Sequence, residues 1–169
     1  MFLRSARNAE FEVPEQYVDD AMNYVRGCFD KLQSTFMYAE SERRPSGGIV
    51  GGGILALELG GEHQSPIALQ AGDWLLAHRH RSYNGPGAHE LDRYHYSTYY
   101  ASQAMFQLGG EHWAQFYPDM KDTLLENQRD DGSWEPEVVN DGPYGSAYTT
   151  ALVILALTPP YQLLPIYQA

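Results

Sequence analysis

Leu59-Gly60-Gly61-Glu62-His63 recurs letter for letter as Leu108-Gly109-Gly110-Glu111-His112, 49 residues further on. The apolar run that leads into it appears a third time as Leu152 to Leu157, another 49 residues along, and there Pro159-Pro160 replaces the paired glycines. Between these markers runs a second series at a spacing of 50: Tyr24-Val25, Trp74-Leu75 and Leu124-Leu125. Self-similarity at a fixed period of this length marks a chain built from stacked supersecondary units. The proline pair in the last copy closes the series as a terminal unit would.

Each unit contains two helical patterns. The first helices are predicted at 14–31, 65–79 and 118–129. Pro14, Pro66 and Pro118 stand near their starts, where a missing N–H costs nothing. The second helices are predicted at 48–60, 95–109 and 145–157. Gly60-Gly61 and Gly109-Gly110 supply C-terminal stops. The first series is amphipathic, as in "YPDMKDTLLENQ" (117–128). The second is apolar around much of its circumference, as in "AYTTALVILAL" (147–157), which predicts burial on most sides. Each unit is therefore an outer helix followed by an inner one. The expectation is a single all-α domain over 1–169, with units at about 14–63, 64–112 and 113–161.

Composition excludes several classes. At 169 residues with 43% apolar content, the chain can bury a core and is not a disordered segment. A formal charge of −11 disfavours a nucleic-acid partner, which would need a basic patch. The one basic run, "HRHRS" (78–82), reads as the charged end of a helix. The single cysteine, Cys28, allows no internal disulfide or cysteine-based zinc knot and reads as a buried structural thiol. No window reaches the ~18 apolar residues of a membrane span. "MFLRSARNAEF" carries charges where a signal peptide would be apolar.

The third outer helix ends in "QRDDGSWEP" (128–136). A glutamine amide can serve the loose polar groups of two helix ends. Gly132 permits a tight turn, and Trp134 can lie over the Gln128 side chain and seal the corner. Gln128-x-x-x-Gly132-x-Trp134 after an apolar helix resembles the QW repeat of the terpenoid cyclase and protein prenyltransferase group, of which squalene–hopene cyclase is the clearest member. The terminal "YQLLPIYQ" (161–168) is similar to the ending of bacterial proteins that carry this prenyltransferase and squalene oxidase repeat. The resemblance covers nearly the whole chain from Val13. It implies an α/α toroid, inner helices ringed by outer ones, of which three hairpins are about half. The inner helices then need partners on their open side. The chain would be the C-terminal half of a longer protein, an open arc, or a half that forms a homodimer.

The resemblance does not bring an active site with it. The cyclases protonate substrate through an Asp-rich D-x-D-D motif, which is absent: Asp19-Asp20, Asp119-x-x-Asp122 and Asp130-Asp131 do not fit it. The prenyltransferases hold zinc through Asp, Cys and His at inner-helix starts. Here Asp92 and His95 occupy such places without a cysteine, and Gly145 falls where a histidine would. Two ligands fall short of the three of a catalytic zinc site, so Asp92 reads as a helix N-cap and His95 as a hydrogen-bonded structural residue. No catalytic residue, metal or cofactor is expected. The glycine run "GGIVGGG" (47–53) lacks the phosphate-loop ending and reads as close helix packing, with a late or mobile start. The acidic "EPEVVNDGPYG" (135–145) lacks EF-hand spacing and reads as a solvated loop.

The aromatic residues at inner-helix starts are the remaining candidates. Tyr94, Tyr96, Tyr99, Tyr100, Tyr144 and Tyr148 would converge on one end of a toroid cavity. Tyr96 and Tyr100 share a helix face, as do Tyr144 and Tyr148. Such a face suits an apolar ligand, although tyrosines also pack helix ends for purely structural reasons. Two functions stay open: a non-catalytic module binding an apolar small molecule or a protein partner, or a fragment of a cyclase-like enzyme acting on an apolar isoprenoid, with its acid outside this chain.

Overall fold

The computed structural model describes residues 2–39, 42–87, 92–138 and 144–163. They form an all-α fold in the order α1 (Phe2–Asn8), α2 (Glu15–Gly27), β1 (Phe29–Asp30), β2 (Thr35–Phe36), α3 (Gly47–Leu59), α4 (Pro66–Ala77), α5 (Tyr94–Leu108), α6 (Gly110–Glu126) and α7 (Gly145–Leu157), then a 3-10 turn at Pro159–Tyr161. Helices α3, α5 and α7 lie side by side with α5 in the middle, and α2, α4 and α6 flank this row. The minute antiparallel sheet pairs Phe29 with Phe36 and Asp30 with Thr35.

The inner helices begin and end within one residue of expectation. Their apolar circumference is the reason: Val50, Ile54, Leu57, Ala104 and Met105 have no exposed surface at all. Helix α7 departs from the pattern. Ala147, Ala151 and Ile154 are exposed on it, because no further described helix covers that side. The glycines of α3 allow it to lie against α5. A methyl group at Gly51 would stand 2.6 Å from the carbonyl carbon of Tyr100, with backbone on every near side. The glycine run does not delay the helix. Ser46 accepts from the Ile49 amide at 3.3 Å, and α3 starts at Gly47 itself.

The outer helices depart more. Helix α2 stops at Gly27 rather than 31. Cys28 comes next, buried and unoxidised, and the chain turns into the small hairpin. Helix α6 starts at Gly110, eight residues before Pro118, which lies inside it. The repeated pentapeptide thus adopts two structures. In the first copy, Gly61 has φ +93° and Glu62-His63 form a connection. In the second, Gly109 and Gly110 both have positive φ, and Glu111-His112 are already helical. The residues downstream of each copy decide the outcome. Pro66 drives its predecessor out of the helical region and fixes a late start. Trp113, Phe116, Tyr117 and Met120 give an apolar stripe that α6 buries, and Trp113 stacks on Tyr117 at 4.3 Å.

The Gln128–Trp134 corner is structural, with roles other than those expected. Gln128 is exposed, and its amide closes the local turn by donating to the Gly132 carbonyl at 2.9 Å. Trp134 satisfies the helix end. Its ring is buried and its Nε1 donates to the Leu124 carbonyl at 2.7 Å, while its backbone amide donates to the Thr150 hydroxyl of α7 at 3.2 Å. The indole alone can fill the gap between α6 and α7 and carry a donor to its floor.

Trp134→Ala should therefore destabilise by roughly 3–5 kcal/mol, and Gln128→Ala by less than about 1 kcal/mol, in urea unfolding. Equal losses would show that the turn, rather than the indole, holds the corner. Gly51→Ala should cost about 1–3 kcal/mol through overpacking, and an unchanged midpoint would contradict the close α3–α5 approach.

Candidate functional site

The N-terminal ends of the inner helices gather most of the chain's buried polar chemistry. A helix starts with N–H groups that lack partners and with a partial positive charge. Two buried carboxylates answer this, each donated by the next unit. Asp92, two residues before α5, accepts from the Gly47 amide of α3 at 3.0 Å and from the Ser97 hydroxyl. The Ser97 oxygen in turn accepts from the Gly48 amide at 2.9 Å. Glu137, in the segment before α7, accepts from the His95 amide of α5 at 2.8 and 2.9 Å and from the Tyr96 amide at 3.3 Å. The His95 ring completes that site. Its Nδ1 bonds Glu137, and its Nε2 lies 3.4 Å from the Tyr83 hydroxyl.

Asp92 is an N-cap, as its residue type suggests, but for the neighbouring helix instead of its own. His95 is a buried hydrogen-bonded residue, as expected. Both are fully engaged, and among the described residues no three His, Cys, Asp or Glu side chains converge as a metal site would need. Glu137 is the residue that sequence reasoning missed, taken as part of a solvated loop. Its nearest signal is its setting, an acid between Pro136 and Val138-Val139. Asn84 holds it in place by donating to the Pro136 carbonyl at 2.8 Å and accepting from the Val138 amide at 3.1 Å. Within the acidic stretch 135–145, read as a solvated loop, residues 139–143 lie outside the described residues.

Burial pushes the Glu137 carboxyl up, but hydrogen bonds from the His95 ring and backbone and the charge of the ring outweigh it, so its pKa is lowered. Tyr94 and Tyr96 shift upward because burial disfavours the phenolate. Tyr96 reaches about 12, with Tyr100 adding to the effect. These phenols are neutral hydrogen-bonding groups at any physiological pH.

The six candidate tyrosines divide into three sets. Tyr96 and Tyr100 pack at 4.8 Å, Tyr99 and Tyr100 at 4.8 Å, and Tyr144 and Tyr148 at 5.2 Å. These ring contacts form one group on α5, Tyr96, Tyr99 and Tyr100, and a second at the start of α7, Tyr144 and Tyr148. Tyr94 points elsewhere. It is buried against Tyr83, His80 and His95 at 5.3, 4.9 and 5.0 Å. Tyr96 is half-buried, with the Arg93 guanidinium 4.3 Å over its ring. It also walls a cleft of about 380 Å³ together with Tyr38, Pro45, Ile49 and Arg44. A volume of this order suits a small organic ligand.

"HRHRS" starts at the end of a helix and runs on beyond it. Helix α4 stops at Ala77, and His78 caps it by bonding the Trp74 carbonyl at 2.9 Å and stacking on the Trp74 ring at 4.1 Å. Residues 79–83 then line a second, smaller cleft against α5 and α6.

Because the pKa of Glu137 is lowered on folding, its stabilisation is complete above the ordinary glutamate value of 4.5 and is lost as pH falls through the folded value. Urea unfolding of the native chain and Glu137→Gln should thus differ most near pH 7 and converge in acid. A constant difference from pH 7 to pH 3 would contradict an ionised cap. No protein-family model, curated protein or solved structure matches the chain.

Proposed function

We propose that this chain is a three-hairpin unit of the α/α-toroid type that works as a binding module, taking an apolar small molecule at the aromatic N-terminal end of its inner helices. The spacing of 49–50 residues and the row of inner helices flanked by outer ones support the repeat reading. The observation that carries the binding role is Tyr96, which packs on Tyr100 and walls the 380 Å³ cleft together with Tyr38. Half-buried phenol rings offer apolar faces to a ligand and hydroxyls to its polar end.

A non-catalytic role is supported by how the buried acids are used. An acid catalyst needs a carboxyl free to give up a proton in the cavity. The buried acids among the described residues are Asp30, Glu58, Asp92 and Glu137. Asp30 caps the Leu32 and Gln33 amides and pairs with Arg43. Glu58 holds the Gln64 amide and the His63 ring. Asp92 and Glu137 close the inner helices. Every one is an acceptor in a structural hydrogen bond.

The open edge of the row has a role in the same reading. From Tyr144 to Leu163 the sequence carries no charged residue, in a chain of net charge −11. A second copy could meet α7 there without charge repulsion.

Native mass spectrometry tests both parts. A co-purifying mass of lipid size, or saturable binding of Nile red that falls at least about tenfold in Tyr96→Ala/Tyr100→Ala, which is ~1.4 kcal/mol, is the expected result. No bound mass and no saturable dye binding would remove the ligand reading. A strict monomer at micromolar concentration would remove the self-association.

A further inference from the structure

We infer that the cleft formed by residues 79–82 against α5 and α6 is a binding site for a compact oxyanion, either inorganic phosphate or a terminal phosphate monoester. The inference is independent of the aromatic end and rests on charge, partners and size.

The charge is anomalous for this molecule. The chain has 11 Lys and Arg against 22 Asp and Glu. Yet this cleft is lined by two guanidiniums, Arg79 and Arg81, two imidazoles, His78 and His80, and a single carboxylate, Asp119. Arg79 already holds Asp119 at 2.8 Å and the Gln115 carbonyl at 2.8 Å, which anchors its guanidinium to α6. Arg81 forms no ion pair or hydrogen bond with any described residue, although acids outnumber bases two to one. A positive concavity on an acidic protein concentrates anions where the rest of the surface repels them.

His80 adds a buried acceptor without a partner. Its Nδ1 faces the Gly85 carbonyl at 3.1 Å. A carbonyl can only accept, so Nδ1 carries the proton. The buried Nε2 has no partner. A buried polar atom left unmatched costs free energy. The P–OH of a phosphate or a phosphate monoester can donate to this nitrogen. The frame is fixed in advance, by His78 stacked on Trp74 at one end and by the Gly85 amide bonding the Ser82 carbonyl at 3.2 Å at the other.

Size sets the ligand class. The cleft holds about 150 Å³, well below the roughly 300 Å³ at which sites for drug-sized ligands begin. A single phosphate group fits this description, and a nucleotide does not. Arginine is the side chain best matched to phosphate geometry.

Titration of the isotope-labelled chain with inorganic phosphate and, separately, methyl phosphate tests the site by amide shifts. The expected result is saturation by at least one of them, with shifts confined to residues 79–85 and their neighbours on α5 and α6. Arg81→Ala should weaken binding at least about tenfold, which is ~1.4 kcal/mol, while Arg7→Ala on α1 leaves it unchanged. The tighter ligand names the source. Arg81 is exposed and pairs with nothing described, so its loss should not unfold the protein. No saturation at tens of millimolar, or equal weakening by the two variants, would overturn the site.

Discussion

The structure depends on unpaired backbone groups at the ends of the inner helices being satisfied by side chains from other elements. At the N-terminal ends the groups are donors with a partial positive charge, and buried carboxylates meet them: Asp92 for α3 and Glu137 for α5. At the C-terminal ends the groups are acceptors, and amides or hydroxyls meet them. Gln64 donates to the Leu108 carbonyl of α5. Ser102, Gln103 and Tyr117 donate to the carbonyls of Ala156, Leu155 and Leu157 on α7. Ser102 and Gln103 belong to the preceding unit, whereas Gln64 and Tyr117 belong to the same unit as the helix they serve. The sign is matched at both ends of the row, which is what the helix dipole requires. An inner helix buried on most sides cannot turn to water for these bonds, so side chains of the elements packed against it must supply them.

This arrangement explains which features the sequence disclosed. Helix type and inner boundaries were legible because apolar circumference and paired glycines are local signals. The start of α6 was not, since Gly109-Gly110 can end a helix or open the next one, and only the stripe of Trp113, Phe116 and Tyr117 decides. The same five letters therefore fold two ways in one chain. Roles that depend on long-range pairing were the least legible. Glu137 sits in an acidic, turn-rich stretch, and nothing local says that it caps a helix starting 43 positions earlier at Tyr94. Gln128 and Trp134 were recognisable as a corner, yet the division of labour between them needed the position of the Leu124 carbonyl.

The candidate sites arise from the same geometry. The start of α5 packs Tyr96 on Tyr100, while the turn of the chain after α4 sends Tyr94 to a separate group with Tyr83 and His95. The carboxylates that would attract attention as catalytic acids are consumed in holding the row. Among the features of the described residues that stay open to other molecules are an aromatic end, a small basic cleft and the uncharged side of α7. This distribution is the reason we propose binding rather than chemistry.

Amide hydrogen exchange of the native chain and of Asp92→Ala tests the central interaction most directly. If the carboxylate closes α3, the Gly47 amide and the first turn behind it should exchange slowly in the native chain. In the variant they should lose roughly one to two orders of magnitude of protection, the equivalent of about 1–3 kcal/mol for a buried donor left unsatisfied. Protection at Gly47 and Gly48 that is unchanged by the substitution would contradict the account and leave the row of inner helices held by apolar packing alone.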